Sequence, residues 1–274
     1  MGTATCRVMI MGMTMTTLTP MTTPTGIITG TTITTSTTPM TEPDGAQGAS
    51  RADLARLMTW LSPSYPVGAF TYSHGIEWAV EAGDIATADH LREWLRDLIH
   101  HGTAWSDAVL FCHVWRAAIA GETETLTELA DLAAALQPSA ERALESTAQG
   151  RAFMEMTLAA WPAPALTAFA EGRDGAVTYP VAVAVAAAAH GVPLAPALTA
   201  TLHALIANLI SAGVRLVPLG QTAGQTVTAA LIAEIDAVAD AALAASLSDL
   251  GGAAWRSDIA SMKHETQYTR LFRS

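Results

Sequence analysis

Nine consecutive residues, Val181 to Ala189, carry no polar side chain. A helix that is apolar all round has no face to offer water, so this one has to lie inside a layer of other helices. It is too short to cross a bilayer, which takes about 20 apolar residues. Tyr179-Pro180 opens it with a proline near the first turn, and Gly191-Val192-Pro193 closes it. The chain around it must therefore supply a shell of helices. The composition suits that, because 50% of the residues are hydrophobic yet only 6% are aromatic, and most of the apolar content is Ala and Leu.

The remaining pattern is helical throughout, with no sustained period-2 alternation and no fixed-length repeat. Leu54, Leu57, Met58 and Leu61 recur at helical spacing, and a second helix is predicted from Phe70 to Ala82 with Gly83 as its stop. A further helix capped by Thr87 or Asp89 carries the apolar stripe Leu91, Trp94, Leu95, Leu98 and Ile99, and others follow over 105–120, 122–135, 139–160, 164–170 and 194–214, and about 222–246. The expected fold is all-α, a single compact domain of roughly ten helices. It spans residues 51–254, between a disordered Thr/Met-rich N-terminal tail (1–50) and a flexible C-terminal tail (255–274). The N-terminal tail has no aromatic anchors and no usable period, so it cannot bury enough surface to offset its ordering entropy.

Charge excludes several function classes. With 14 basic and 25 acidic residues the net charge is −11. That sign repels nucleic acid and anionic membranes, and it points to neutral or basic proteins as partners. Only 14% of residues are charged, so much of the surface has to be Ala, Thr and Gly, which suits a surface that meets partners. Cys6 and Cys112 stand in unlike settings and suggest no disulfide framework, which fits a reducing, cytoplasmic setting. No signal-peptide h-region is evident near the N-terminus.

The stretch Leu61–Glu77, LSPSYPVGAFTYSHGIE, is too stiff and too aromatic for a linker. Pro63, Pro66 and Gly68 fix its backbone, while Tyr65, Val67, Phe70 and Tyr72 need something to pack on. Read from chemistry alone it is a packed helix-to-helix turn or a functional loop. Its His74 and Glu77, three residues apart, are the best local metal pair in the chain, yet two ligands are too few for a stable site. His100-His101 and Cys112-His113 are adjacent pairs that point about 100° apart on a helix. No G-x-S-x-G, P-loop or G-x-G-x-x-G occurs, so neither hydrolase nor nucleotide chemistry is indicated. The last residues, KHETQYTRLFRS, set Tyr268, Arg270, Phe272 and Arg273 in a polar tail; those are anchor types common at protein interfaces.

Four segments together, SPSYPVGAFTYSHGIE, TYPVAVAVAAAAHGVP, AGVRLVPLGQTAGQ and HETQYTRLFRS, resemble the UreF family of urease accessory proteins, in order, from about residue 53 to 274. The chain departs from the family's usual pattern at Ala69, Tyr179 and Ala184.

The resemblance implies a non-catalytic, all-helical scaffold for nickel insertion into apo-urease. It implies UreD (UreH in some organisms) as the partner bound directly, the GTPase UreG as the protein recruited and modulated, and apo-urease as the client. It also implies a homodimer, no resident cofactor, nickel at most in transit, and GTP held by the partner. Partner contact is expected at Tyr65, Phe70, Tyr72, His74 and Glu77 in the loop, at Arg215 and Gln221, and at Tyr268, Arg270, Phe272 and Arg273 in the tail. Phe70 and the two tail arginines are expected to be linked when the tail orders on partner binding. The alternative reading is a helical metal-dependent enzyme with its site at His74 and Glu77.

Overall fold

The computed structural model describes residues 48–274; most of the expected N-terminal tail, residues 1–47, lies outside the described residues. The described residues form eleven α-helices, two short 3-10 turns and no strand. They are α1 (Arg51–Trp60), α2 (Ile76–Glu81), α3 (Ala88–His101), α4 (Thr103–Ala120), α5 (Thr123–Ala135) and α6 (Ala140–Ala160). After these come α7 (Pro164–Glu171), α8 (Tyr179–Ala189), α9 (Leu194–Leu216), α10 (Gln221–Ala244) and α11 (Trp255–His264).

The apolar run sits where its composition demands. Every residue from Val181 to Ala187 is at most 2% exposed, and α8 is enclosed by α4, α6, α7 and α9. Ala at alternate positions leaves room for such close neighbours. The approach is tightest at Gly150 of α6, where an added Cβ would stand 2.1 Å from the Val177 carbonyl oxygen. Around this centre α9 and α10 pair along their lengths, α3 packs on α10, and α5 covers α4. Helix α9 is long and apolar enough to cross a membrane by composition, but 56% of its apolar window is buried in the fold.

Local signals set the helix ends. Ser50 and Asp53 form a capping box at α1, while Thr87 and Ser139 cap α3 and α6 with their hydroxyls. Trp60, at the end of α1, meets Phe153 and Trp161 edge-on at 6.1 Å, and Phe153 in turn touches Tyr65 and Tyr179. This aromatic cluster fixes where the chain leaves α1 and enters the 61–77 loop.

Two expectations are corrected. The helix predicted over Phe70–Ala82 is interrupted: a 3-10 turn at Ala69–Thr71 leads into extended Tyr72, and α2 begins only at Ile76. His74 and Gly75 both take positive φ, 54° and 77°, which no right-handed helix can contain. The C-terminal segment is seated rather than loose. Residues 255–264 form α11, which packs on α2 and α6, and the residues after it fold back onto the 61–77 loop.

Candidate functional site

The loop and the tail make one unit, joined through backbone. Ser73 donates its N–H to the Ser274 carbonyl oxygen at 2.7 Å, and Arg273 donates its N–H to the Thr71 oxygen at 2.8 Å. This pairing joins residues about 200 positions apart, and it competes successfully with the helix that local spacing suggests.

Glu77 is the hub of the unit. Its carboxylate accepts the Leu271 N–H at 2.7 Å and the Phe272 N–H at 2.9 Å, and it lies 3.1 Å from His264 Nε2. The other nitrogen of His264, Nδ1, reaches Glu141 of α6 at 2.6 Å, and Arg270 donates to the same carboxylate at 2.5 Å. His264 therefore bridges two carboxylates while wholly buried. Gly75 makes the docking of α11 possible, since an added Cβ there would lie 2.6 Å from the Ser261 nitrogen.

A second buried network lies beneath. Glu145 of α6 accepts from Arg142, from Gln149 at 3.0 Å and from the Ser274 hydroxyl at 2.6 Å, and His74 Nε2 lies 2.7 Å from it. Burial alone would raise the Glu145 pKa, but Arg142, His74 and the Ser274 hydroxyl outweigh it and hold the carboxyl at about 2. Burial, with Arg142 nearby, pushes His74 below its usual value, so the ring is neutral near pH 7.

Arg215 closes the other side. Its guanidinium carbon lies 3.6 Å from the Phe70 ring centroid and 4.5 Å from that of Phe272, and its Nη2 donates to the Phe70 carbonyl at 3.0 Å. Nε donates to Ser211 within α9, and Asn208 of the same helix holds the Ala69 carbonyl at 3.1 Å. One long helix thus anchors both loop and tail.

The sequence-predicted residues separate into two groups. Tyr65, Tyr72, His74, Glu77 and Phe272 are buried within the chain, at most 8% exposed. Tyr65 bonds Thr157 at 2.9 Å, His74 reaches Glu145 of α6, Glu77 holds the tail backbone, and Phe272 lies against Arg215. Phe70, Arg215, Gln221, Tyr268, Arg270 and Arg273 are exposed.

Gln221 opens α10, with no hydrogen bond to loop or tail among the described residues. The expected link between Phe70 and the tail arginines runs instead through Arg215 and Phe272, because Arg270 is engaged by Glu141. His74 and Glu77 do not converge, since one faces Glu145 and the other the tail. No cluster of three His, Cys, Asp or Glu suited to a metal occurs among the described residues. Sequence reasoning missed Glu141, Arg142 and Glu145. Two carboxylates at i and i+4 with an arginine between, on the face that meets Ser139 and Gln149, were the available signal.

Comparison with known proteins decides the family. The UreF family model matches residues 85–232, more than half of the chain. The chain belongs to the UreF family. The urease accessory protein UreF of Rhodopseudomonas palustris (strain BisB5) is 56% identical over 223 residues, covering 81% of this chain and 92% of the relative. The protein of the same name from Bradyrhizobium diazoefficiens is 54% identical over 223 residues, 81% of this chain and 92% of its own. That from Bradyrhizobium sp. (strain ORS 278) is 53% identical over 232 residues, 85% and 96%. UreF proteins are urease accessory proteins, so membership makes this chain an accessory protein of urease maturation rather than an enzyme. The all-α fold expected from the sequence is the one observed.

Proposed function

We propose that this UreF chain is a docking scaffold of the urease maturation complex, and that the loop-and-tail unit is the surface it offers to UreD. In this reading the UreD-bound scaffold, working as a homodimer in the cytoplasm, recruits and modulates the GTPase UreG on apo-urease. Nickel is cargo that passes through the assembly, and GTP belongs to the partner.

The observation that supports the reading is a contrast within one short segment. Glu77 and Ser73 hold the tail backbone rigidly, yet Tyr268, Leu271 and Phe70 are 103%, 80% and 59% exposed. Large apolar side chains displayed on a preorganised backbone lose little entropy when a partner covers them. Helix α11 adds Trp255, Ile259 and Met262, exposed at i, i+4 and i+7 on one face. Arg256, Lys263, Arg270 and Arg273 give the same region a basic character in an otherwise acidic chain.

The test is a binding measurement with a purified UreD homologue. Leu271→Asp and Tyr268→Ala alter side chains that touch little within the chain, so folding should be kept while affinity falls about tenfold or more. Deleting 268–274 should abolish binding. Unchanged affinity in the two point variants would remove the tail from the interface.

A further inference from the structure

A second feature of the fold lies beside the loop-and-tail unit and shares Glu145 and His74 with it. Between α1, the loop, α6 and α9 lies a cavity of about 480 Å³, a size typical of small-molecule sites. Its walls are apolar, with Leu57, Tyr65, Phe111, Leu198 and Leu202 among them, and Leu54, Met58 and Phe70 flank it as exposed residues. Its far end is polar, lined by His74, Asp107, Arg142, Glu145 and Gln149.

Two of those polar groups lack partners. Asp107 of α4 is half-buried, lines a second, smaller pocket as well, and accepts no side-chain hydrogen bond among the described residues. His74 is 4% exposed and its Nδ1 is buried with no partner. The ring's other nitrogen faces the Glu145 carboxylate, which can only accept, so the neutral ring carries its proton on Nε2 and leaves Nδ1 as a bare acceptor. Both vacant groups therefore require donors.

The charge count agrees. Arg142 and Glu145 neutralise each other and His74 is neutral, which leaves Asp107 as the unmatched charge.

We propose that this cavity binds a small amphipathic amine, its alkyl chain along the apolar walls and its ammonium group at the end lined by Asp107 and His74. An ammonium brings three donors and a positive charge, which are the two things this end lacks. A carboxylate ligand would face Asp107 and Glu145 with like charge. A neutral alkyl ligand would expel water and leave both acceptors unpaired, which is costly in a dry site. A divalent cation held by protein groups alone would need more ligands than this pair offers.

Calorimetric titration of the full chain at pH 7 with n-octylamine, n-octanol and octanoate tests this without any substitution. One octylamine per chain should bind, about tenfold or more tighter than octanol, with octanoate weakest. Asp107→Asn, checked for an unchanged far-ultraviolet spectrum, should bring the amine down to the affinity of the alcohol. Leu202→Trp, which narrows the slot and spares its polar end, should weaken all three ligands. The proposal is overturned if octylamine does not bind, if it adsorbs at many equivalents per chain, if octanol or octanoate equals it, or if Asp107→Asn leaves its affinity unchanged.

Discussion

The Arg215 guanidinium carbon sits 3.6 Å above the Phe70 ring, and the same group donates a hydrogen bond to that residue's carbonyl oxygen. With Phe272 on its other side at 4.5 Å, a single side chain from α9 ties loop to tail. Arg215→Ala should cost about 1–2 kcal/mol of stability by loss of stacking and one hydrogen bond. Arg215→Lys should recover less than half of that, because a compact ammonium cannot stack between two rings while holding the carbonyl. Denaturant melts give the energies. Hydrogen exchange should show protection lost at Arg273, whose amide is held by Thr71 beside Phe70.

Glu77→Gln is the sharper perturbation of the seat. The carboxylate takes two backbone N–H groups and faces His264. An amide keeps one acceptor and turns donors toward groups that already donate, so the loss should be on the order of 2–3 kcal/mol. Carboxypeptidase digestion reads it directly, with release of Ser274 and Arg273 several times faster than in the parent. Equal digestion rates would mean that Phe272 burial alone seats the tail.

How much of this was legible in the sequence depends on the range over which a signal acts. Val181–Ala189 announced its own burial, and the capping residues Ser50, Thr87 and Ser139 lie one position before their helices, so the helical shell was readable from neighbours. Prolines and aromatics marked 61–77 as a built segment. The seating of the tail was not readable, because Ser73 meets Ser274 across about 200 positions and no local spacing encodes that partner. The same pairing explains the misplaced helix. Phe70, His74 and Glu77 do recur at helical spacing, but the left-handed turn at His74 and Gly75 is imposed by the returning chain. Arg215 was singled out by its motif, while its role between two rings became visible only in three dimensions.

The half-buried Asp107 and the buried Glu145 respond to pH in opposite senses. Asp107 is raised from 3.8 to about 6, chiefly by burial, so its contribution to stability is complete below pH 3.8 and is lost as pH rises through 6. Glu145 is lowered from 4.5 to about 2; its contribution is present above pH 4.5 and is lost as pH falls toward 2. Asp107→Asn should therefore match the parent below pH 3.8 and exceed it by roughly 1–2 kcal/mol above pH 6. Glu145→Gln should be destabilised by about 3–5 kcal/mol at pH 7, since it leaves Arg142 buried without its counter-ion. That penalty should shrink as pH falls from 4.5 toward 2. Urea melts at pH 3.5, 5 and 7 separate the two.

Gly75→Ala tests whether α11 and the tail form a unit that can detach from the rest. The residue has φ 77°, and a Cβ would lie 2.6 Å from the Ser261 nitrogen and 2.8 Å from its Cα. Those are backbone atoms, so no side-chain rotation relieves the clash, and alanine's own left-handed strain adds about 1 kcal/mol. Helix α11 must back away, and the bonds from Glu77 to Leu271 and Phe272 lie on the segment that moves with it. Helix α11 packs mainly on α2 and α6, so the pairing of α8 with α4 and of α9 with α10 does not run through this contact. Exchange should therefore accelerate at 255–274 while amides of α8 and α9 keep their protection. Global unfolding instead would make the close approach at Gly75 part of the central core, and the tail's seat would then be inseparable from the fold itself.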